Sequence, residues 1–77
     1  MAMPAGDIEA LIKAAFPDAI IHIEDLAGDN DHYAATVVSE AFRGVSRVRQ
    51  HQMVYQALQG RVGGELHALA LQTSAPD

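Results

Sequence analysis

Apolar residues recur at two different periods along this chain of 77 residues, and the changes of period divide it into elements. Between Pro4 and Phe16, the residues Ile8, Leu11, Ile12 and Ala15 fall at spacings of three and four, which puts them on one face of a helix. Pro4 and the acids Asp7 and Glu9 suit its first turn, where the helix dipole favours negative charge, and Pro17 stops it. From Ala19 to Asp25 (AIIHIED) the chain is rich in β-branched residues and too short for a stable helix, which predicts a strand. Gly28, Asp29, Asn30 and Asp31 form a turn-rich stretch before a second strand from His32 to Ser39 (HYAATVVS), expected to pair antiparallel with the first.

Glu40 to Phe42 has room for one helical turn before Gly44, which breaks the chain and permits positive φ. Ser46 is a good N-cap for a long helix from Arg47 to Gln59, ended by Gly60 or by the Gly63-Gly64 pair. Along it Val48, His51, Tyr55, Leu58 and Val62 form an apolar stripe at helical spacing. Leu66 to Thr73 (LHALALQT) is a mostly apolar run bounded by glycines and by Ser74-Ala75-Pro76, expected to be a buried strand. The order helix, strand, strand, turn, helix, strand predicts an α+β domain spanning residues 1–77. Its economical architecture is a three-stranded sheet with both main helices on one face, and residues 1–3 and 74–77 as loose termini.

Charge changes the picture in one place. Net charge is −5, yet Arg43, Arg47, Arg49 and Arg61 are four of the five basic residues, and no Asp or Glu occurs from Ala41 to Gly64. A basic helix in an acidic chain suits specific recognition better than indiscriminate polyanion binding. With no Cys there is no disulfide and no thiolate to hold a metal, so any thiolate at a metal must come from a partner. The N-terminus lacks the pattern of a secretory signal and no apolar run approaches membrane-spanning length, so a cytoplasmic location and no membrane contact are expected.

Candidate chemistry is limited to histidines and arginines. A lone histidine on an apolar strand, such as His67, is more often hydrogen-bonded in the core than a ligand. His51 sits in the apolar stripe and suits packing, and His22 suits a structural or surface role. Arg47 and Arg49 with Gln50 and Gln52 at the start of a helix resemble a recognition helix, since Arg reaches guanine edges or phosphates and Gln pairs with adenine. No Ser-His-Asp arrangement or phosphate-cradling glycine pattern is present, so an enzyme is not expected. Asp29 and Asp31 lack the EF-hand pattern and suit a turn.

The run VVSEAFRGVSRVRQHQMVYQAL, followed after a glycine gap by His67-Ala68-Leu69, resembles the BolA family over nearly the whole chain. That resemblance implies a class II KH-like fold of the αββααβ kind, matching the order derived above. It implies partnership with a monothiol glutaredoxin around a bridging [2Fe-2S] cluster, absent from the isolated protein, and a role in iron-sulfur trafficking and iron homeostasis. His67 stands at the position of the C-terminal histidine that ligates the shared cluster, and imidazole is an accepted iron ligand there. His32 follows the loop where family members carry a Cys or a His, and two readings stand for it, a second ligand or a solvated loop histidine. If both ligate, the hairpin tip and the start of the last strand must be neighbours. Some family members are transcriptional regulators that bind DNA, which is the alternative for Arg43, Arg47, Arg49 and Gln50. A KH-type nucleic-acid site needs a GxxG turn, and Gly44-Val45-Ser46-Arg47 has only its first glycine. The basic helix is therefore read first as a docking face for the glutaredoxin, on a free protein expected to be a monomer.

Overall fold

The computed structural model describes residues 4–26, 28, 32–59 and 68–76. Helix α1 spans Ala5–Ala15 and strand β1 spans Ile20–Asp25. Strand β2 covers His32–Val38, a 3-10 turn follows at Glu40–Phe42, helix α2 covers Arg47–Ala57 and strand β3 covers Ala68–Ser74. The sheet order is β1-β2-β3, with β1 antiparallel and β3 parallel to the central β2. The expected α+β architecture is the one observed.

Strand alternation explains the two-layer build. Tyr33, Ala35 and Val37 are buried, and in register beside them lie Ile21 and Ile23 of β1 and Leu69 and Leu71 of β3. This face joins Ile8, Ile12 and Phe16 of the α1 region and Val54 and Leu58 of the α2 region in one core. Fully burying side chains such as Ile8 or Leu58 stabilises the fold by about 1.5–3 kcal/mol each. The opposite face carries Ile20, His22, Glu24, Ala34, Thr36, Ala70 and Gln72, and Ile20 is 70% exposed.

Four expectations differ from the structure. Ala15 is exposed, and the α1 stripe is completed instead by Phe16, whose ring meets Phe42 at 5.1 Å. On α2 the expected stripe is borne out at Leu58, which is buried, but Val48 and Tyr55 point outward, 70% and 38% exposed, and Val54 is buried in their stead. The helix is rotated because the sheet side also takes Gln50, whose amide donates to the carbonyls of Val45 at 2.7 Å and Phe42 at 3.2 Å. Third, β3 is a half-buried edge strand and not a fully buried one, running from Ala68 to Ser74. Fourth, the tail expected to be loose from Ser74 is held, because the Ser74 carbonyl accepts from Ser39 N–H at 3.0 Å and that of Pro76 from Arg43 at 2.6 Å.

The helix ends follow local chemistry. Ser46 caps α2 as expected, its hydroxyl accepting from Arg49 N–H at 3.3 Å. Gln59 closes the helix with φ of 59°, a left-handed conformation more often taken by glycine. Gly44, at φ 74°, supplies the turn between the 3-10 segment and α2. The expected stops at Gly60 and Gly63-Gly64, and the positions Arg61, Val62 and Leu66, lie outside the described residues.

Candidate functional site

The two candidate constellations fall at opposite ends of β2. His32 is its first residue, exposed, and on the sheet face away from the helices. The hairpin closes beside it, with Leu26 N–H donating to the His32 carbonyl at 2.8 Å and Gly28 N–H to Asp25 Oδ1 at 2.9 Å. In the parallel register His32 lies opposite Ala68, the residue that follows His67 in the sequence. His67 itself lies outside the described residues. The expected neighbourhood of the hairpin and the start of the last strand is therefore present in the pairing. Among the described residues there is no group of three or more His, Cys, Asp or Glu that could hold a metal ion.

This donor set fits a shared cluster better than a self-contained one. Imidazole serves on one iron of a [2Fe-2S] centre, and a chain without Cys needs another molecule's thiolates for the other iron.

The arginines belong to the other end. Because β3 runs parallel to β2, Ser74 pairs with Val38 there, and Thr73 Oγ1 donates to Gln50 Oε1 at 2.6 Å, which places the start of α2 beside that end. Seven residues of strand put it roughly 20 Å from His32. The basic helix start and the histidine end are thus separate places, not one face.

The four candidate contacts there differ in availability. Arg43 forms a bidentate ion pair with Glu40, at 2.7 and 3.0 Å, besides its bond to the Pro76 carbonyl. Gln50 has its amide oxygen and nitrogen committed to Thr73, Val45 and Phe42. Both therefore fasten the fold, and Gln50 is in no position to read a base edge. Arg47 and Arg49 are exposed, but two residues along a helix is roughly 200° of rotation, so they look different ways. Arg49 reaches Gln52 Oε1 at 3.5 Å, and Arg47 lines a cavity of about 320 Å³ with His51, Thr36 and the β3 residues from Leu71 to Ser74.

Sequence reasoning missed the polar knot that holds this end. Asp18, in the link between α1 and β1, accepts from the Ser39 hydroxyl and from Glu40 N–H, both at 2.9 Å. Those bonds hold the Asp18 carboxyl below its ordinary value, the Glu40 amide being the larger cause. Glu40 is lowered as well, by the hydrogen bond from Arg43. The Ser39 hydroxyl also accepts from Ala41 N–H at 3.1 Å, capping the 3-10 turn, and Ser39 is fully buried. A serine just before a short helical segment was the one available signal.

A hairpin, a returning parallel strand and two helices on one face define a small α+β domain of the class II KH-like kind. The chain belongs to the BolA family: the family model for BolA-like protein matches residues 12–77. It is 38% identical to an uncharacterized protein of Rickettsia prowazekii (strain Madrid E) over 73 residues, 95% of each chain. Against human BolA-like protein 1 it is 41% identical over 82 aligned positions, covering 92% of this chain and 60% of the relative. It thus spans well under two thirds of that relative's length. The "DNA-binding transcriptional regulator BolA" of Escherichia coli (strain K12) is 32% identical over 73 residues, 86% of this chain and 70% of the relative. Among solved structures, the BolA domain of SufE1 from Arabidopsis thaliana superposes with a TM-score of 0.82 at 26% identity, covering 97% of this chain and 96% of that one. Members of the family are non-catalytic adaptors, and no described helix is long and apolar enough to cross a membrane.

Proposed function

We propose that the protein is an adaptor that binds a monothiol glutaredoxin and shares a [2Fe-2S] cluster with it, acting in iron-sulfur trafficking or iron homeostasis. His67 and His32 supply the imidazoles, and the glutaredoxin and glutathione supply the thiolates. The observation that carries this is the pairing of His32 with Ala68, next in sequence to His67. Family membership and the likeness to the SufE1 BolA domain support the same role. When bound, the cluster supplies a redox- and iron-responsive group, and this chain's part is to supply imidazole ligands. Protonated imidazole cannot ligate, so sharing weakens on acidification.

The test is to mix the protein with a cluster-loaded monothiol glutaredoxin and record absorption and EPR spectra. His67→Ala is expected to abolish the spectrum of the mixed complex, and His32→Ala to alter it. An unchanged spectrum in His67→Ala removes that residue from the iron.

DNA regulation is the second reading, favoured by the function named for the Escherichia coli relative. It is the weaker one for this chain, because Gln50 is committed to the fold and Arg47 and Arg49 do not share a helix face. Sequence-dependent DNA binding at about 0.15 M salt that collapses in an Arg47→Ala, Arg49→Ala double variant would reinstate it.

A further inference from the structure

The outer edge of β3 beside Arg47 has the makings of a peptide groove. Among the described residues β3 pairs only with β2. The Ser74 carbonyl points toward β2, where it accepts from Ser39 N–H. In a parallel pair alternate residues bond the neighbour, so Gln72 and Ala70 share that direction, and the backbone N–H and C=O groups of Leu71 and Thr73 point outward. Leu71 and Thr73 both line the 320 Å³ cavity, together with Thr36, Gln72 and Ser74 of the sheet and Arg47 and His51 of α2. Among the described residues the cavity thus combines unpaired strand hydrogen-bonding groups with one cation.

Among the described residues that cation is uncompensated. Arg43 is held by Glu40, and Lys13 bonds the Ala19 carbonyl at 2.7 Å, whereas no described residue partners Arg47 and no Asp or Glu lines the cavity. We propose that this groove takes an extended segment of a partner protein by strand addition to β3, with one Asp or Glu side chain of that segment on Arg47. A nucleic-acid strand repeats a phosphate at every nucleotide and calls for a row of cations. A single arginine beside a strand edge matches a peptide with one acid. The proposal goes beyond the cluster-sharing reading, since it needs neither metal nor glutaredoxin and lies at the other end of the sheet.

The test uses the full chain, labelled with nitrogen-15, and the peptide acetyl-Thr-Val-Glu-Val-Thr-amide. Expected are amide shifts centred on Leu71 and Thr73, slowed hydrogen exchange at those two amides, and binding about threefold weaker for the peptide with Gln in place of Glu. Arg47→Ala, at an exposed position that leaves the Ser46 cap intact, should lose the same factor with the Glu peptide and nothing with the Gln peptide. No perturbation at millimolar peptide, equal affinity for the two peptides, or shifts centred on the β1 edge would each overturn the proposal. So would stronger perturbation of the same amides by an oligothymidylate, which would make the groove a nucleic-acid site. Because no cluster is present in any arm, failure here leaves the cluster-sharing reading untouched, and the spectra of the mixed complex decide that one separately.

Discussion

At its Val38 end β2 runs into the buried Ser39, the Asp18 carboxylate that accepts two hydrogen bonds, the bidentate Arg43–Glu40 ion pair and the ring contact of Phe42 with Phe16. At its His32 end the same strand carries an exposed imidazole beside a hairpin closed through backbone N–H groups. Stability and ligand chemistry make opposite demands on polar groups. A group buried inside the fold adds stability and is out of a partner's reach, whereas a ligand must stay accessible. We read the first end as the anchor of the sheet and the second, under the proposed function, as the ligand end, a division that substitutions can break.

The largest effect is expected at Phe42, 1% exposed and packed on Phe16 at 5.1 Å. Phe42→Ala should lower unfolding free energy by about 3–5 kcal/mol. That is a large share of the roughly 5–15 kcal/mol typical of whole domains. Urea unfolding followed by circular dichroism measures it, and a loss below about 1 kcal/mol would show that this end is not the anchor.

Ser39→Ala comes next. It removes a fully buried hydroxyl that donates to Asp18 and caps Ala41, so about 1–2 kcal/mol should be lost. Asp18→Val combined with Ser39→Ala should cost less than the sum of the two single changes, since both break one bond.

The same carboxylate gives a pH test with a smaller effect. Asp18 titrates below its ordinary value of 3.8 in the folded protein. A depressed folded value means that its contribution is complete above the unfolded value and is lost as pH falls through the folded one. The Tm advantage of the native protein over Asp18→Asn should therefore be constant near neutral pH and shrink below about pH 4. Glu40, lowered by Arg43, adds a loss of the same sign, so the variant should still decline, less steeply. A Tm difference that grows on acidification would contradict the assigned hydrogen bonds.

How much of this was legible depends on how local each signal was. Ile8 and Ile12 declared their helix face because nothing competed with a three-and-four spacing. On α2 the expected stripe held at Leu58, which is buried, and failed at Val48 and Tyr55, whose places are taken by Val54. Gln50 turns toward the sheet side as well, where its amide donates to the Phe42 and Val45 carbonyls. Arg43 and Gln50 looked like surface recognition groups, since their partners Pro76 and Thr73 lie 33 and 23 residues away. The bond from Ser39 to Asp18 spans 21 residues and left no pattern to find. The approach of the hairpin to the last strand followed from resemblance, not from spacing, and the register of β2 against β3 agrees with it.

The smallest stability effect is expected at His32, and it bears on function most directly. The side chain is exposed at the edge of the open sheet face, so His32→Ala should change unfolding free energy by no more than about 0.5 kcal/mol. If the imidazole is an iron ligand, the same substitution should alter the spectrum of the mixed complex with cluster-loaded glutaredoxin while leaving the urea midpoint where it was. If it is a solvated loop histidine, both readouts stay unchanged. Should His32→Ala instead cost as much as Ser39→Ala, the His32 end would be anchoring the fold too, and the division between the two ends of β2 would fail.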